Sequence, residues 1–114
     1  MKISIARGDL DMIPFAVYID GTQDKVDMDE IYFTVKKHYY DKRFIFQKKL
    51  SDGTIDTDGE GTYMLTIEPS DTEELDFGSY DFDIEIIRNP DIKRTFVGTL
   101  ELTKEVTHKN NEEA

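Results

Sequence analysis

Leu75-Asp76-Phe77-Gly78-Ser79-Tyr80-Asp81-Phe82 sets an Asp-x-Gly-x-Tyr core directly ahead of an alternating strand. This order suits a tyrosine corner. A tight turn crosses from one sheet to the other, and Gly78 takes its cramped backbone position. Tyr80, at the start of the next strand, returns its hydroxyl to the turn near Asp76.

Downstream of the corner, Tyr80, Phe82, Ile84 and Ile86 alternate with Asp81, Asp83 and Glu85. The apolar set is expected inside and the acidic set outside. Asn89-Pro90-Asp91 reads as a turn, and Phe96, Leu100 and Leu102 as the inward set of the last strand. Gly98 interrupts that set and marks a bulge or a close approach. Upstream, Pro69 to Leu75 reads as one helical turn capped by Ser70, with Glu73 and Glu74 near its positive end. Period-two patterns also cover Ile3 and Ile5, then Ile13, Phe15, Val17 and Ile19 with Pro14 near the start. Further segments are Ile31, Phe33 and Val35; Phe44 to Lys49; Thr54 to Thr57; and Tyr63, Leu65 and Ile67. Eight short segments and the corner predict an all-β, immunoglobulin-like antiparallel sandwich of seven to eight strands. The chain has no cysteine, so the sandwich carries no disulfide. Phe82 stands two places after the corner tyrosine, where the second cysteine of a disulfide-bearing domain would be, and is expected to pack as a plug. Residues 1–107 read as one domain and 108–114 as a polar, frayed tail.

The net charge of −11 argues against general nucleic-acid binding, which needs positive surface. That charge is unevenly laid out. Lys36, Lys37, Lys42, Arg43, Lys48 and Lys49 face only Asp41 within residues 36–49, a net of +5 that leaves −16 on the other hundred residues. A basic ribbon on an acidic body favours head-to-tail association or an acidic partner. Tyr39 and Tyr40 sit within the ribbon, and Tyr beside Lys and Arg is the composition of interface hot spots. Lys36, Lys37, Tyr39, Tyr40, Lys42 and Arg43 are therefore the candidate interaction residues. No apolar run reaches the ~20 residues of a membrane span. Met1 to Ile5 reads as a first strand rather than a signal peptide.

The residues offer little for catalysis. His38 and His108 are the only imidazoles, one in the ribbon and one in the tail, and no nucleophile elbow or phosphate loop is visible. The chain reads as non-enzymatic and without a cofactor. Asp81, Asp83 and Glu85 are expected to pair across strands with Lys36, Lys93 or Arg94. Asp52, Asp56, Asp58 and Glu60, with interspersed glycines, are weak calcium candidates. An EF-hand frame puts Thr54 and Leu65 where the end ligands belong, and turn chemistry accounts for the Asp-Gly pairs.

The order of motifs resembles small immunoglobulin-like structural proteins from tail and baseplate gene regions of phages and prophages of Gram-positive bacteria, a group that includes the N-terminal domain of the upper baseplate protein. The residues that carry the resemblance are Arg7-Gly8-Asp9-Leu10, Ile31 to Lys36, Ile67-Glu68-Pro69-Ser70-Asp71-Thr72, Leu75 to Ile84, and Gly98 to Thr107. Members usually carry Thr where Leu10 stands, and the long extension of larger members has no counterpart. The resemblance implies an adaptor or scaffold that works through contacts with itself or with other virion subunits, with no catalytic residues. It implies a place in the virion, or in the host cytoplasm before assembly. A different class of function is a carbohydrate- or host-protein-binding module, calcium-assisted, built on the 52–61 loop and Tyr39-Tyr40.

Overall fold

Alternating apolar and polar residues produce ten strands and one helical turn in the computed structural model, which describes residues 1–104. The expected tail, 108–114, and the last residues of the expected closing strand lie outside the described residues. The elements are β1 (Lys2–Ala6), β2 (Asp11–Ala16), β3 (Tyr18–Ile19), β4 (Thr22–Gln23), β5 (Glu30–Lys36) and β6 (Phe46–Lys49). They continue with β7 (Ile55–Thr57), β8 (Thr62–Ile67), α1 (Pro69–Thr72), β9 (Gly78–Arg88) and β10 (Ile92–Thr103). A five-stranded sheet runs β1-β10-β9-β5-β6, a three-stranded sheet runs β2-β8-β7, and β3 pairs with β4. All pairings are antiparallel except β1 with β10. The protein is thus all-β with several sheets.

Both larger sheets feed one core. Ile31, Phe33, Val35, Tyr80, Phe82, Ile86, Leu100 and Leu102 come from the larger, and Ile55, Tyr63, Leu65 and Ile67 from the smaller. The period-two reading therefore finds the inward face of β5, β8 and β9. Phe82 is 3% exposed and packs on Phe33, with ring centroids 5.1 Å apart. The Tyr80 hydroxyl donates to the Asp76 carbonyl at 2.7 Å, the bond expected of the turn, and Gly78 has φ 128°. Gly98 is a close approach. A Cβ there would lie 2.5 Å from the Phe82 ring and 2.7 Å from the Met1 carbonyl.

Several expectations need correction. The segment expected from Ile13 to Ile19 divides into β2 and β3. The latter turns back through Asp20 (φ 52°) and Gly21 (φ 80°) onto β4, which is too short to show a period. Strand β6 begins at Phe46, leaving Phe44 exposed. Glu68, not Ser70, is the N-cap of α1 because Pro69 occupies its first turn, and the Asp71 carboxylate accepts from the Glu68 N–H at 2.8 Å. Phe96 lies opposite Ile84 on the core side, yet it is 40% exposed and lines a groove with Phe15 and Val17 at the end of β2. Lys48 does not belong to the basic ribbon. It points inward, 7% exposed, and pairs with Asp71 at 2.6 Å. One carboxylate thus serves both the cap of α1 and the ammonium of β6, tying the crossover to the larger sheet.

Three substitutions test these contacts. Tyr80→Phe is expected to cost about 1 kcal/mol, the usual net value of one hydrogen bond, and to lower the urea midpoint. An unchanged midpoint would remove the corner bond from the list of stabilising contacts. Gly98→Ala is expected to cost about 1–3 kcal/mol by overpacking against Phe82. Lys48→Ala is expected to cost about 3 kcal/mol, since it strands the half-buried Asp71. If Lys48→Ala behaved like a surface change, the inward pair would not be a structural tie.

Candidate interaction surface

Residues 37–45 join β5 to β6 and carry most of the exposed cations and aromatics of the ribbon. The loop is held at several points. The Asp41 N–H donates to the His38 carbonyl at 3.0 Å, and the Asp41 carboxylate accepts from the His38 N–H at 3.1 Å. The Tyr39 N–H donates to the Asp81 carboxylate at 2.9 Å, which moors the loop to β9. The Lys37 ammonium stands 4.6 Å over the Tyr80 ring, so the loop also rests on the corner. The Ile45 N–H closes the loop on the Val35 carbonyl at 2.7 Å.

The aromatic side chains are arranged against one another. His38 and Tyr40 stack with centroids 5.1 Å apart and planes 3° apart. Tyr39 meets Tyr40 edge-on at 5.3 Å. Tyr39 is 76% exposed and Tyr40 68%. Mutual packing restrains these rings before any partner arrives, which lowers the ordering cost of binding. Lys37, Lys42 and Arg43 are exposed in the same loop, and Lys36 is half-buried at the end of β5. The structure therefore brings together the six candidate interaction residues and separates Lys48 from them.

Beneath Tyr39 lies an open groove of about 410 Å³ on the outer face of the larger sheet. Lys36, Asp81, Asp83, Val97 and Thr99 line it. The expected cross-strand ion pairs are not formed there. Among the described residues the salt bridges are Lys2–Glu101, Lys48–Asp71 and Arg88–Asp24. Lys93 and Arg94 lie opposite Ile87 and Ile86, beyond Asp81, Asp83 and Glu85 in the ladder. Asp81 instead accepts the Tyr39 N–H. Asp83 is left half-buried, and burial pushes its carboxyl above the ordinary range; the Lys36 charge pulls it down and Glu85 pushes it further up.

The acidic residues of the 52–61 loop are dispersed and exposed. Asp52 accepts from the Thr54 N–H and hydroxyl, which hold its carboxyl below the ordinary range. Asp58 accepts from the N–H groups of Glu60 and Thr62, with the same effect. Asp56 lies on β7, and Glu60 is in the following turn. Among the described residues, no group of three or more acidic or imidazole side chains is placed to hold a metal ion. Asp52 and Asp58 thus act as turn-formers, because their lone pairs go to backbone and hydroxyl donors. His38 belongs to the aromatic stack, and His108 lies outside the described residues.

Sequence reasoning missed Asp81 as the mooring of the loop. Its only signal is its register opposite Lys36, which puts it at the base of the hairpin. It also missed Phe44 (52% exposed) and Phe77 (42% exposed), the latter covered by the Arg7 guanidinium at 4.0 Å. The chain matches no protein-family model, and no curated protein matches it.

Asp83 supplies a test of the groove's electrostatics. Its raised folded value means that its linked stability is full below the ordinary value of 3.8 and is lost as pH rises through the folded value. At neutral pH its ionised carboxyl is a cost. Asp83→Asn is therefore expected to raise the urea midpoint at pH 7, with a gain that fades once pH drops below 3.8. A gain of the same size at both pH values would show that the charge of Asp83 is not its source.

Proposed function

We propose that this chain is a non-enzymatic structural or adaptor protein of a phage or prophage tail or baseplate, and that it acts through protein–protein contacts. Its pre-packed, exposed His38-Tyr39-Tyr40 set, in one loop with the exposed Lys37, Lys42 and Arg43, is the observation that carries the contact-making role. Aromatic anchors among basic residues are what binding energy concentrates on. The virion assignment rests on the order of sequence motifs from Arg7 to Thr107. In support of an immunoglobulin-like sandwich, the order β1-β10-β9-β5-β6 beside β2-β8-β7 matches a sandwich whose first strand joins the sheet of the last, and Tyr80 makes the corner bond. Among the described residues, no helix is long and apolar enough to cross a membrane.

A second reading, a carbohydrate-binding module, has the groove beneath Tyr39 in its favour, since an exposed tyrosine beside polar groups is a stacking platform for a sugar. A shift in melting temperature with soluble glycans, abolished by Tyr39→Ala, would favour it.

The deciding experiment is to purify particles from an induced lysogen carrying this gene and to quantify the chain in them by mass spectrometry. A fixed copy number per particle is expected. Tyr39→Ala combined with Tyr40→Ala should lower that copy number at least about tenfold, as expected when hot-spot residues worth about 2 kcal/mol are truncated. Absence of the wild-type chain from purified particles would overturn the virion reading.

A further inference from the structure

The hairpin of β9 and β10 outruns its neighbour. β9 follows β10 in unbroken register from Ile92↔Arg88 to Leu102↔Gly78. On the other side of β10, β1 pairs only with Thr99 to Thr103. The Thr99 N–H donates to the Met1 carbonyl at 3.0 Å, so the odd-numbered residues of β10 turn their backbone groups away from β9. Lys93, Thr95 and Val97 follow the same alternation, and among the described residues no strand pairs with them on that side. All five residues from Lys93 to Val97 are exposed, Val97 at 70% and Phe96 at 40%.

Other edges are better guarded. β2 carries Pro14, which lacks an N–H. β6 has four residues, and its Lys49 N–H is taken by the Thr54 hydroxyl at 2.7 Å. β7 has three residues. The outer edge of β1 is equally long but has Ile5 buried, whereas the β10 stretch is exposed throughout and carries the apolar Phe96 and Val97, a combination that invites strand addition.

We propose that this edge is a two-fold interface between copies of this chain, with β10 paired antiparallel to β10 about Thr95. The proposal rests on the reading of this protein as one that works through subunit contacts. The register follows from charge. Centring on Arg94 or Lys93 sets like cations against each other, which destabilises a ladder. Centring on Phe96 shortens the pairing, because it soon reaches Thr99, where Met1 already bonds. Centring on Thr95 places Lys93 against Val97, Arg94 against Phe96, and Thr95 against its own copy. No cation then faces a cation, and each Arg94 guanidinium meets the aromatic ring of the second copy's Phe96, an attractive pairing. The contact is self-complementary, as a two-fold interface must be. The two larger sheets join into one continuous sheet across the dimer.

Sedimentation equilibrium over a concentration series tests this. The wild-type chain is expected to dimerise. Thr95→Pro removes a donor that faces away from β9, so it is expected to spare the fold while raising the dimer dissociation constant about tenfold or more. Val97→Lys should also weaken the dimer by opposing Lys93 of the second copy, and Val97→Glu should strengthen it. These two changes at an exposed side chain serve even if Thr95→Pro does not fold. In this cysteine-free chain, Thr95→Cys should form a covalent dimer on mild oxidation much faster than Val97→Cys, since only position 95 faces itself. A monomer at every concentration overturns the proposal. So does a dimer indifferent to Thr95→Pro and to the sign of the charge at 97, which would assign self-association to another surface. Edge-dependent dimers from a chain missing in purified particles would overturn the virion reading alone.

Discussion

The bond from the Tyr80 hydroxyl to the Asp76 carbonyl fixes where β9 begins. In a strand of period two, a slip of one residue exchanges the inner and outer faces. The starting point of β9 therefore decides that Tyr80, Phe82 and Ile86 are buried, with Ile84 packed against them, and that Asp81, Asp83 and Glu85 face outward. β9 lies between β10 and β5, so its register passes to both. Burial pushes the Tyr80 hydroxyl above its ordinary range, with the Asp76 charge adding to the push, and keeps it a donor at any physiological pH. The same ring supports Lys37, so the corner also positions the root of the aromatic loop.

A second tie complements the first. Lys48 spends its charge inside, on Asp71, next to the turn that leads into the corner. A partly buried ion pair adds little net stability over apolar packing, but it punishes any arrangement that separates the partners. Here it specifies where β6 and α1 meet. The ribbon loses one of its six cations in return, and Lys37, Lys42 and Arg43 stay exposed in the loop that carries Tyr39 and Tyr40. The basic character of this end of the molecule is thus local to the loop, set against an acidic body in which Asp52 and Asp58 serve turns.

The two proposed interaction surfaces differ in kind. The 37–45 loop offers side chains, and its restraint comes from stacking and from Asp81. The edge of β10 offers backbone, and its specificity comes from which side chains are opposed in register. They sit at different places on one sheet: the loop follows β5, while the open edge belongs to β10, with β9 between them. The two adjoin at the groove beneath Tyr39, which Val97 of the edge also lines.

Much of this was legible in the residues. Alternation over Ile31 to Val35, Tyr63 to Ile67 and Tyr80 to Ile86 marked the core, because one buried face is enough to impose a period of two. Asp-x-Gly-x-Tyr marked the corner because few residue types satisfy its backbone. Adjacency in a charged loop marked at least one of Tyr39 and Tyr40 as exposed, and the structure exposes both. By contrast, Lys48 alternated like its surface neighbours and gave no sign of Asp71, which is 23 residues away in the chain. Phe96 read as core because pattern reports which way a side chain points, not whether an opposing sheet extends far enough to cover it. The acids between 52 and 60 read as a possible site because composition does not reveal which lone pairs backbone donors have already taken. Local sequence thus determined the longer strands, their inward faces and the corner, all governed by interactions within a few residues. Only the tertiary structure decided which charges are buried, where the smaller sheet stops and which edge is left open, since each depends on what a distant segment brings alongside.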